Sequence, residues 1–369
     1  MFSLEAVLAR SPDRAEPPCP HFGACGGCVL QHLADAAYAS WKRSLLVEAL
    51  ARAGFPDAPV AALVRTPPAA RRRADFAIAR DRDGTVRLGF HARGGRAVVG
   101  LRACPVLDPR LASLVAPLGA LAGTLSCLGR KAAAVVNLLD HGPDLLLQGA
   151  AAPDAKARAA LVAFARDQGL CRVSWAIGEG APEPVAQLAA SVITLAGRAV
   201  AAPPGAFLQA SPQGEAAIVA TVLASLPGKA RRIADLYAGL GTLSFALAAR
   251  ASVAAFEGEE AAHRALAAAA GGTRVRAIRR DLARQPLQAA ELVGFDVVVL
   301  DPPFAGAAAQ AGPLAASPVR HVAYVSCNPA ALARDARVLR EGGFALVAAT
   351  PIDQFLWSAH LECVAHFSR

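Results

Sequence analysis

Five short apolar runs mark the C-terminal part of the chain: Arg232–Leu236, Val253–Glu257, Val275–Arg279, Asp296–Leu300 and His321–Ser326. Helical segments separate most of them. This alternation predicts an α/β unit built on an open parallel sheet, whose ligands sit at the carboxyl ends of the strands. Upstream of Pro203-Pro204-Gly205 the rhythm differs. Trp41, Leu45, Leu46, Ala49 and Leu50 recur at helical spacing and predict a helix over Asp35–Gly54, with Gly54 as its stop. Ala74–Ala79 and Val86–Phe90 alternate around Arg80-Asp81-Arg82-Asp83-Gly84-Thr85, a hairpin pattern. Val173–Ile177 and Ser191–Leu195 read as strands. Leu111–Gly129 carries no charge, but its Pro117, Gly119, Gly123 and Gly129 predict helix plus loop rather than a membrane span. Three units result: a Cys-containing loop and helix (1–55), a mixed α+β central domain (56–200) and a Rossmann-like domain (201–369).

Composition narrows the partners. Hydrophobic residues make up 54% of the 369 and charged ones 18%, which excludes a disordered chain. The formal net charge of +9 favours a polyanion, nucleic acid first. Arg65, Arg71, Arg72, Arg73, Arg80, Arg82, Arg87, Arg93, Arg96 and Arg102 fall close together, opposed only by Asp75, Asp81 and Asp83. Arginine forks suit phosphates. No secretory signal pattern opens the chain, so a cytoplasmic, monomeric protein without membrane or DNA partners is expected. The eight cysteines then favour metal or catalytic roles over disulfides.

The strand ends carry the chemistry. The first run leads into Asp235-Leu236-Tyr237-Ala238-Gly239-Leu240-Gly241-Thr242 and then a helix over Leu243–Arg250. Gly239 and Gly241 let backbone approach a ligand closely, but one glycine pair is not the dinucleotide fingerprint. Glu257 ends the next strand, where an acid accepts hydrogen bonds from ribose hydroxyls. Asp281 and Asp301 follow the third and fourth. The alternative is a glycine turn with solvated acids; four such features in order point to an S-adenosylmethionine site.

Asp301-Pro302-Pro303-Phe304 and Tyr324-Val325-Ser326-Cys327-Asn328-Pro329 both close strands and should project into one crevice. Cys327 precedes a turn that would present its thiol; the alternative is a small buried hydrophobe. A thiolate and a carboxylate together suit methylation at C5 of uracil. Attack at C6 makes C5 nucleophilic, and a base then removes the C5 proton so that the enzyme can leave. Glu362, in an apolar last strand, is the candidate base, or else the outward half of an alternation.

These motifs resemble the bacterial RNA uracil-C5 methyltransferases that carry an iron–sulfur cluster. The resemblance runs through Cys19-x5-Cys25-Gly-Gly-Cys28, Phe207-Leu208-Gln209, the Asp235–Gly241 loop, Asp301-Pro-Pro, Ser326-Cys327-Asn328-Pro329 with Leu332-Ala333-Arg334-Asp335, and His360-x-Glu362. It implies Cys327 as nucleophile, Glu362 as base, and Gln209, Tyr237, Glu257, Asp301 and, less closely, Asp281 as cofactor contacts. It also implies 23S ribosomal RNA as the favoured substrate, with the transfer RNA T-loop as the alternative. Cys19, Cys25, Cys28 and the remote Cys104 could as thiolates bind either zinc or a [4Fe–4S] cluster; the resemblance favours the cluster, in a structural or RNA-positioning role. Two departures matter. Phe304 stands where the family usually has Arg. The small β-barrel RNA-binding domain of many ribosomal members is expected to be missing, with Phe2–Arg14 resembling its tail. Asp-Pro-Pro-Phe also resembles methyltransferases of exocyclic amines, which need no cysteine. A metal-stapled RNA-binding factor without activity is the non-enzymatic alternative. Phe304 or Tyr324 could stack on a flipped-out target base.

Overall fold

The computed structural model describes residue 9 and residues 11–369; most of the expected domain tail, Phe2–Leu8 and Arg10, lies outside them. Helix α1 (Asp35–Arg52) buries Tyr38, Lys42, Leu46, Ala49 and Leu50 on one face. Strand β1 (Val64–Arg65) follows. The predicted hairpin is β2 (Arg73–Arg80) with β3 (Val86–His91), extended by β4 (Val98–Gly100). The uncharged stretch forms helix α2 (Pro109–Thr124), capped by Asp108, and then loop. Strands β5 (Lys131–Leu139) and β6 (Gly142–Gly149), helix α3 (Ala155–Asp167), and strands β7 (Arg172–Ile177) and β8 (Glu183–Gln187) complete a seven-stranded sheet of order β4-β3-β2-β5-β6-β7-β8. Its core includes Phe76, Leu111, Leu147, Leu161 and Trp175.

A two-stranded ribbon, β9 (Val192–Leu195) with β10 (Arg198–Ala201), precedes helix α4 (Pro212–Ser225). The second sheet is then built from β11 (Arg232–Leu236), α5 (Thr242–Leu247), β12 (Ser252–Glu257), α6 (Glu260–Ala269), β13 (Val275–Arg279), β14 (Val297–Leu300), α7 (Ala308–Ala316), β15 (His321–Ser326), α8 (Pro329–Glu341), β16 (Ala345–Asp353) and β17 (Glu362–Ser368). All five predicted runs are strands. The helix predicted over Leu243–Arg250 is shorter, and the sheet is not wholly parallel. Its order is β1-β16-β17-β15-β14-β11-β12-β13, and β17 runs antiparallel to both β15 and β16. Strand β17 returns after the short segment 354–361, which is too short for a crossover, so antiparallel pairing is the connection available. β14, at the sheet centre, is buried throughout, as strands covered on both faces must be.

Two apolar clusters form the layers on either face of this sheet. One joins α1 through Leu46 and Leu50 to Leu332 and Leu339 of α8; the other joins Ile218 and Val222 of α4 to Leu243 and Leu247 of α5. Within α1, Lys42 interrupts the apolar stripe. Its ammonium lies 2.9 Å from Asp353 Oδ1, both side chains fully buried. It donates to the Phe355 carbonyl at 3.1 Å and to that of His360. Tyr38 donates to Asp353 Oδ2 at 2.6 Å and accepts from Trp357 N–H at 2.8 Å. The N-terminal helix is thereby locked to the segment entering β17. Among the described residues, no helix is long and apolar enough to cross a membrane.

Four of the clustered arginines make structural contacts. Arg72 is buried and pairs with Glu215 at 2.6 Å. Arg80 donates to the carbonyls of Ala122, Gly123 and Leu125, which end α2. Arg65 pairs with Asp35, and Arg87 with Asp81. Arg82, Arg93, Arg96 and Arg102 are exposed.

Candidate active site

The carboxyl edge of the second sheet gathers the predicted acids. Strand β11 is followed by Tyr237, whose φ of +63° is a left-handed conformation that costs a non-glycine residue energy. Gly239 (φ +55°) and Gly241 (φ +98°) complete the turn into α5 at Thr242. A Cβ on Gly241 would lie 2.6 Å from both the Phe245 ring and Leu266, so this position admits only glycine without a shift. Glu257 braces the turn: its carboxylate accepts from Gly239 N–H at 2.7 Å and from Glu259 N–H at 2.7 Å. Each oxygen retains a lone pair for a hydroxyl. Asp281 is exposed and accepts from Ala283 N–H at 3.0 Å, capping its own turn; it bonds to none of the other acids. Asp235, which the sequence reading used only as a loop marker, is fully buried and accepts from Ser244 Oγ at 2.5 Å. Burial pushes it up to about 7.

The Asp-Pro-Pro and Ser-Cys-Asn-Pro loops meet, as expected. Asn328 caps α8 through Ala330 N–H and donates to the Phe304 carbonyl at 3.0 Å. Asp335 Oδ2 accepts from Ala307 N–H at 2.7 Å and from Tyr324 Oη at 2.6 Å. Tyr324 is thus a buried core aromatic. Phe304 is 55% exposed and meets the His360 ring edge-on at 5.7 Å, so of the two aromatics it is the one free to face a base.

Cys327 is the first residue beyond β15, and Glu362 is the first of β17. Ser326 pairs with Cys363 in the antiparallel register, which places Cys327 and Glu362 opposite each other one step further along. Cys363 is buried and donates to the Ser326 carbonyl at 3.3 Å. Burial, then the charges of Glu362 and Asp301, push the Cys327 thiol up to about 12. Burial raises Asp301; burial and then Asp301 raise Glu362. These carboxylates are bridged by two amides that motif reading only half anticipated. Gln209 donates to Asp301 Oδ2 at 3.0 Å, and Gln354 donates to Gln209 Oε1 at 2.8 Å and to Glu362 Oε2 at 2.6 Å. Gln354 carried no sequence signal of its own.

The four predicted metal-ligating cysteines line one cavity of about 410 Å³ with His21, Gly26, Gly27, Arg71, Phe355 and Leu356. All are free thiols. Gly27 N–H points at Cys25 Sγ (3.5 Å), and Cys28 Sγ lies 4.0 Å from the Leu356 carbonyl. Among the described residues, no three His, Cys, Asp or Glu side chains gather closely enough to hold a single metal ion.

The fold and crevice can be set against known proteins. The methyltransferase small domain family matches residues 198–323, which hold the glycine turn and strands β11 to β14. A Rhizobium meliloti (strain 1021) protein described as an uncharacterized RNA methyltransferase is 42% identical over 98% of this chain and 88% of its own length. The chain belongs to the RNA methyltransferases. Among others of this family, the 23S rRNA (uracil(1939)-C(5))-methyltransferase RlmD of Chromohalobacter salexigens is 37% identical, over 98% of this chain and 78% of that protein. The fold is that of the Pyrococcus abyssi tRNA (uracil-54, C5)-methyltransferase, solved with S-adenosyl-L-homocysteine: the TM-score is 0.74 at 22% identity, covering 98% of this chain and 88% of that one. This RNA methyltransferase therefore combines a glycine-turn crevice with a cysteine-lined cavity, and residues 354–361 connect the two.

Proposed function

We propose that this RNA methyltransferase methylates C5 of a uridine in structured RNA, 23S ribosomal RNA first, in the cytoplasm. The observation that carries the reading is Cys327 facing Glu362 across the ends of β15 and β17, beside Asp301. S-adenosylmethionine, when bound, supplies an electrophilic methyl group. Gln209, Tyr237, the Gly239–Thr242 turn, Glu257, Asp281 and Asp301 are the residues we assign to holding it. Cys327 gives up its proton to solvent and adds to C6 of the uracil as thiolate, which places a negative charge on C5 and lets C5 take the methyl group. Glu362 then removes the C5 proton, and the thiolate leaves. Burial is consistent with these roles. A thiol held high by burial and then by two carboxylates stays protonated until a cation or a bound base changes its surroundings. The RNA partner's natural contacts are Arg82, Arg93, Arg96 and Arg102.

Cys19, Cys25, Cys28 and Cys104 line one cavity of about 410 Å³, and four thiolates around one space are the donor set that a [4Fe–4S] cluster takes. Such a cluster supplies cross-links between the N-terminal loop and Cys104, and no part of the methyl transfer is assigned to it.

The test is covalent trapping. RNA containing 5-fluorouridine should form a denaturation-stable adduct on Cys327. Cys327→Ala should lose the adduct and at least ~10³-fold in methylation rate. The exposed Phe304 favours a second reading, transfer to an exocyclic amine with the ring stacked on the base. That enzyme would keep substantial activity in Cys327→Ala. Mapping the methylated nucleotide separates ribosomal from transfer RNA.

A further inference from the structure

Gln354 ends up buried beside the crevice, and its amide cannot be turned over. Oε1 accepts at 3.1 Å from the backbone N–H of Ala210, a group that can only donate. Nε2 must therefore point the other way. Its two hydrogens reach Glu362 Oε2 at 2.6 Å and Gln209 Oε1 at 2.8 Å. That contact orients Gln209 in turn, leaving its Nε2 to donate to Asp301 Oδ2 at 3.0 Å. One backbone N–H thus fixes the direction of every hydrogen bond between the two carboxylates. The oxygens of Glu362 become unequal. Oε2 receives a hydrogen bond, whereas Oε1 is buried and has no partner among the described residues.

We infer that Gln354 is a positioning residue that reserves Oε1 of Glu362 as the oxygen that accepts the C5 proton. The inference rests on the uracil-C5 reading. In the step concerned, the C5–H bond breaks and its proton moves to Oε1. The electron pair left on C5 forms the C5–C6 double bond. The C6–S bond breaks, and its pair returns to Cys327 as thiolate. Oε2 remains an acceptor throughout, first as carboxylate and then as the carbonyl oxygen of the acid, so the Gln354 hydrogen bond survives the transfer. An amide is well suited here because its NH2 cannot itself be the proton acceptor. Without it the carboxylate turns freely about its last torsion and shares the proton-accepting geometry between two oxygens.

Gln354→Met keeps length and bulk but removes the donor. In single turnovers with RNA tritiated at uridine C5, methyl incorporation should stay within about threefold of the wild-type rate. Tritium release should fall at least ~30-fold, so the methylated protein–RNA adduct should accumulate on denaturing gels. Gln354→Glu keeps the shape and can donate only when protonated, so its tritium release should fall as pH rises, opposite to the wild type. The two variants together keep the test open if one fails to fold. Adduct decay at the wild-type rate in Gln354→Met, or equal slowing of methyl incorporation and tritium release, overturns the inference. A wild type that traps no 5-fluorouridine RNA on Cys327 sinks the uracil-C5 reading itself, a distinguishable result.

Discussion

The glycine-turn crevice and the cysteine-lined cavity share the segment between β16 and β17, yet they are held in different ways. In the crevice, backbone amides and side-chain amides place nearly every acid: Glu257 by Gly239 and Glu259, Glu362 by Gln354, Asp301 by Gln209. In the cavity Cys25 meets Gly27 N–H at 3.5 Å and Cys28 the Leu356 carbonyl at 4.0 Å, while Cys28 also meets Gln31, and Cys104 the backbone of Val106 and Leu107. The first is therefore pre-organised by the polypeptide alone, as a site that stabilises developing charge must be. The second, on the reading above, takes its final geometry from metal–sulfur bonds. What joins them is the lock of Tyr38 and Lys42 on Asp353, together with Trp357, whose left-handed backbone (φ +58°) is held by Tyr38 and by Val29 and Leu30 N–H.

Breaking that lock should have the largest effect on stability. Lys42→Ala leaves Asp353 charged, fully buried and without its counter-ion, which costs about 3–5 kcal/mol. Urea unfolding checks this. A loss below about 1 kcal/mol would mean that the lock is ornamental and that the two regions are held independently. Next comes the crevice turn. Gly241→Ala combines a φ of +98° with a Cβ 2.6 Å from the Phe245 ring, costing about 1–3 kcal/mol. It should also weaken S-adenosylmethionine binding about tenfold in calorimetry, since the turn must shift; undiminished binding would show that the turn does not shape the donor site.

How much of this was legible follows from how far apart the partners lie. Of the predicted strands of the second sheet, β11, β12, β14 and β15 were readable because burial on both faces writes apolar runs, β13 at the edge because Val275, Ala277 and Ile278 remain among its arginines, and their ends because Gly, Asp and Cys-Asn-Pro interrupt those runs. Cys327 and Glu362 were readable as residues but not as opposite members of one antiparallel pair, because β17 had no register until β16 and β15 flanked it. The lock was not readable at all. Tyr38 and Asp353 are 315 positions apart, and Lys42 sits in an apolar helical stripe where its charge looks like an exception. Gln354 is hidden for the same reason: its partners, Gln209 and Ala210 on one side and Glu362 on the other, come from two separated segments. The arginine cluster misled in the other direction. Composition cannot distinguish Arg80, which ends a helix by binding its carbonyls, from Arg82, which faces solvent.

Asp235 sharpens the comparison through pH. Its carboxyl, raised to about 7 chiefly by burial, holds its proton in the folded state where the unfolded chain, near 4, has lost it. More protons bound to the folded state means that stability falls as pH rises from about 4 through 7. Asp301 and Glu362 act in the same direction, so the informative quantity is a difference. Asp235→Asn should lose less than the wild type, its Tm gaining a few degrees on the wild type between pH 5 and pH 8. A constant offset across that range would place Asp235 in a more hydrated setting than its burial describes.

The smallest expected effect is the most discriminating. Cys19 touches the shared segment only indirectly: its N–H donates to Gln31 at 3.1 Å, while Val29 and Leu30 carry the bonds to Trp357. Cys19→Ser should lower iron and inorganic sulfide in the purified protein several-fold, because a serine oxygen is a poor substitute for thiolate at iron. Affinity for S-adenosylmethionine should nevertheless stay within about twofold, because none of the crevice hydrogen bonds passes through that loop and surface changes remote from a site are usually worth under ~0.5 kcal/mol. Metal analysis and calorimetry on the same sample check both halves. If affinity fell tenfold while the lock residues were intact, the crevice could not be pre-organised by the polypeptide alone, and cysteine ligation would have to be counted among the things that shape the donor site.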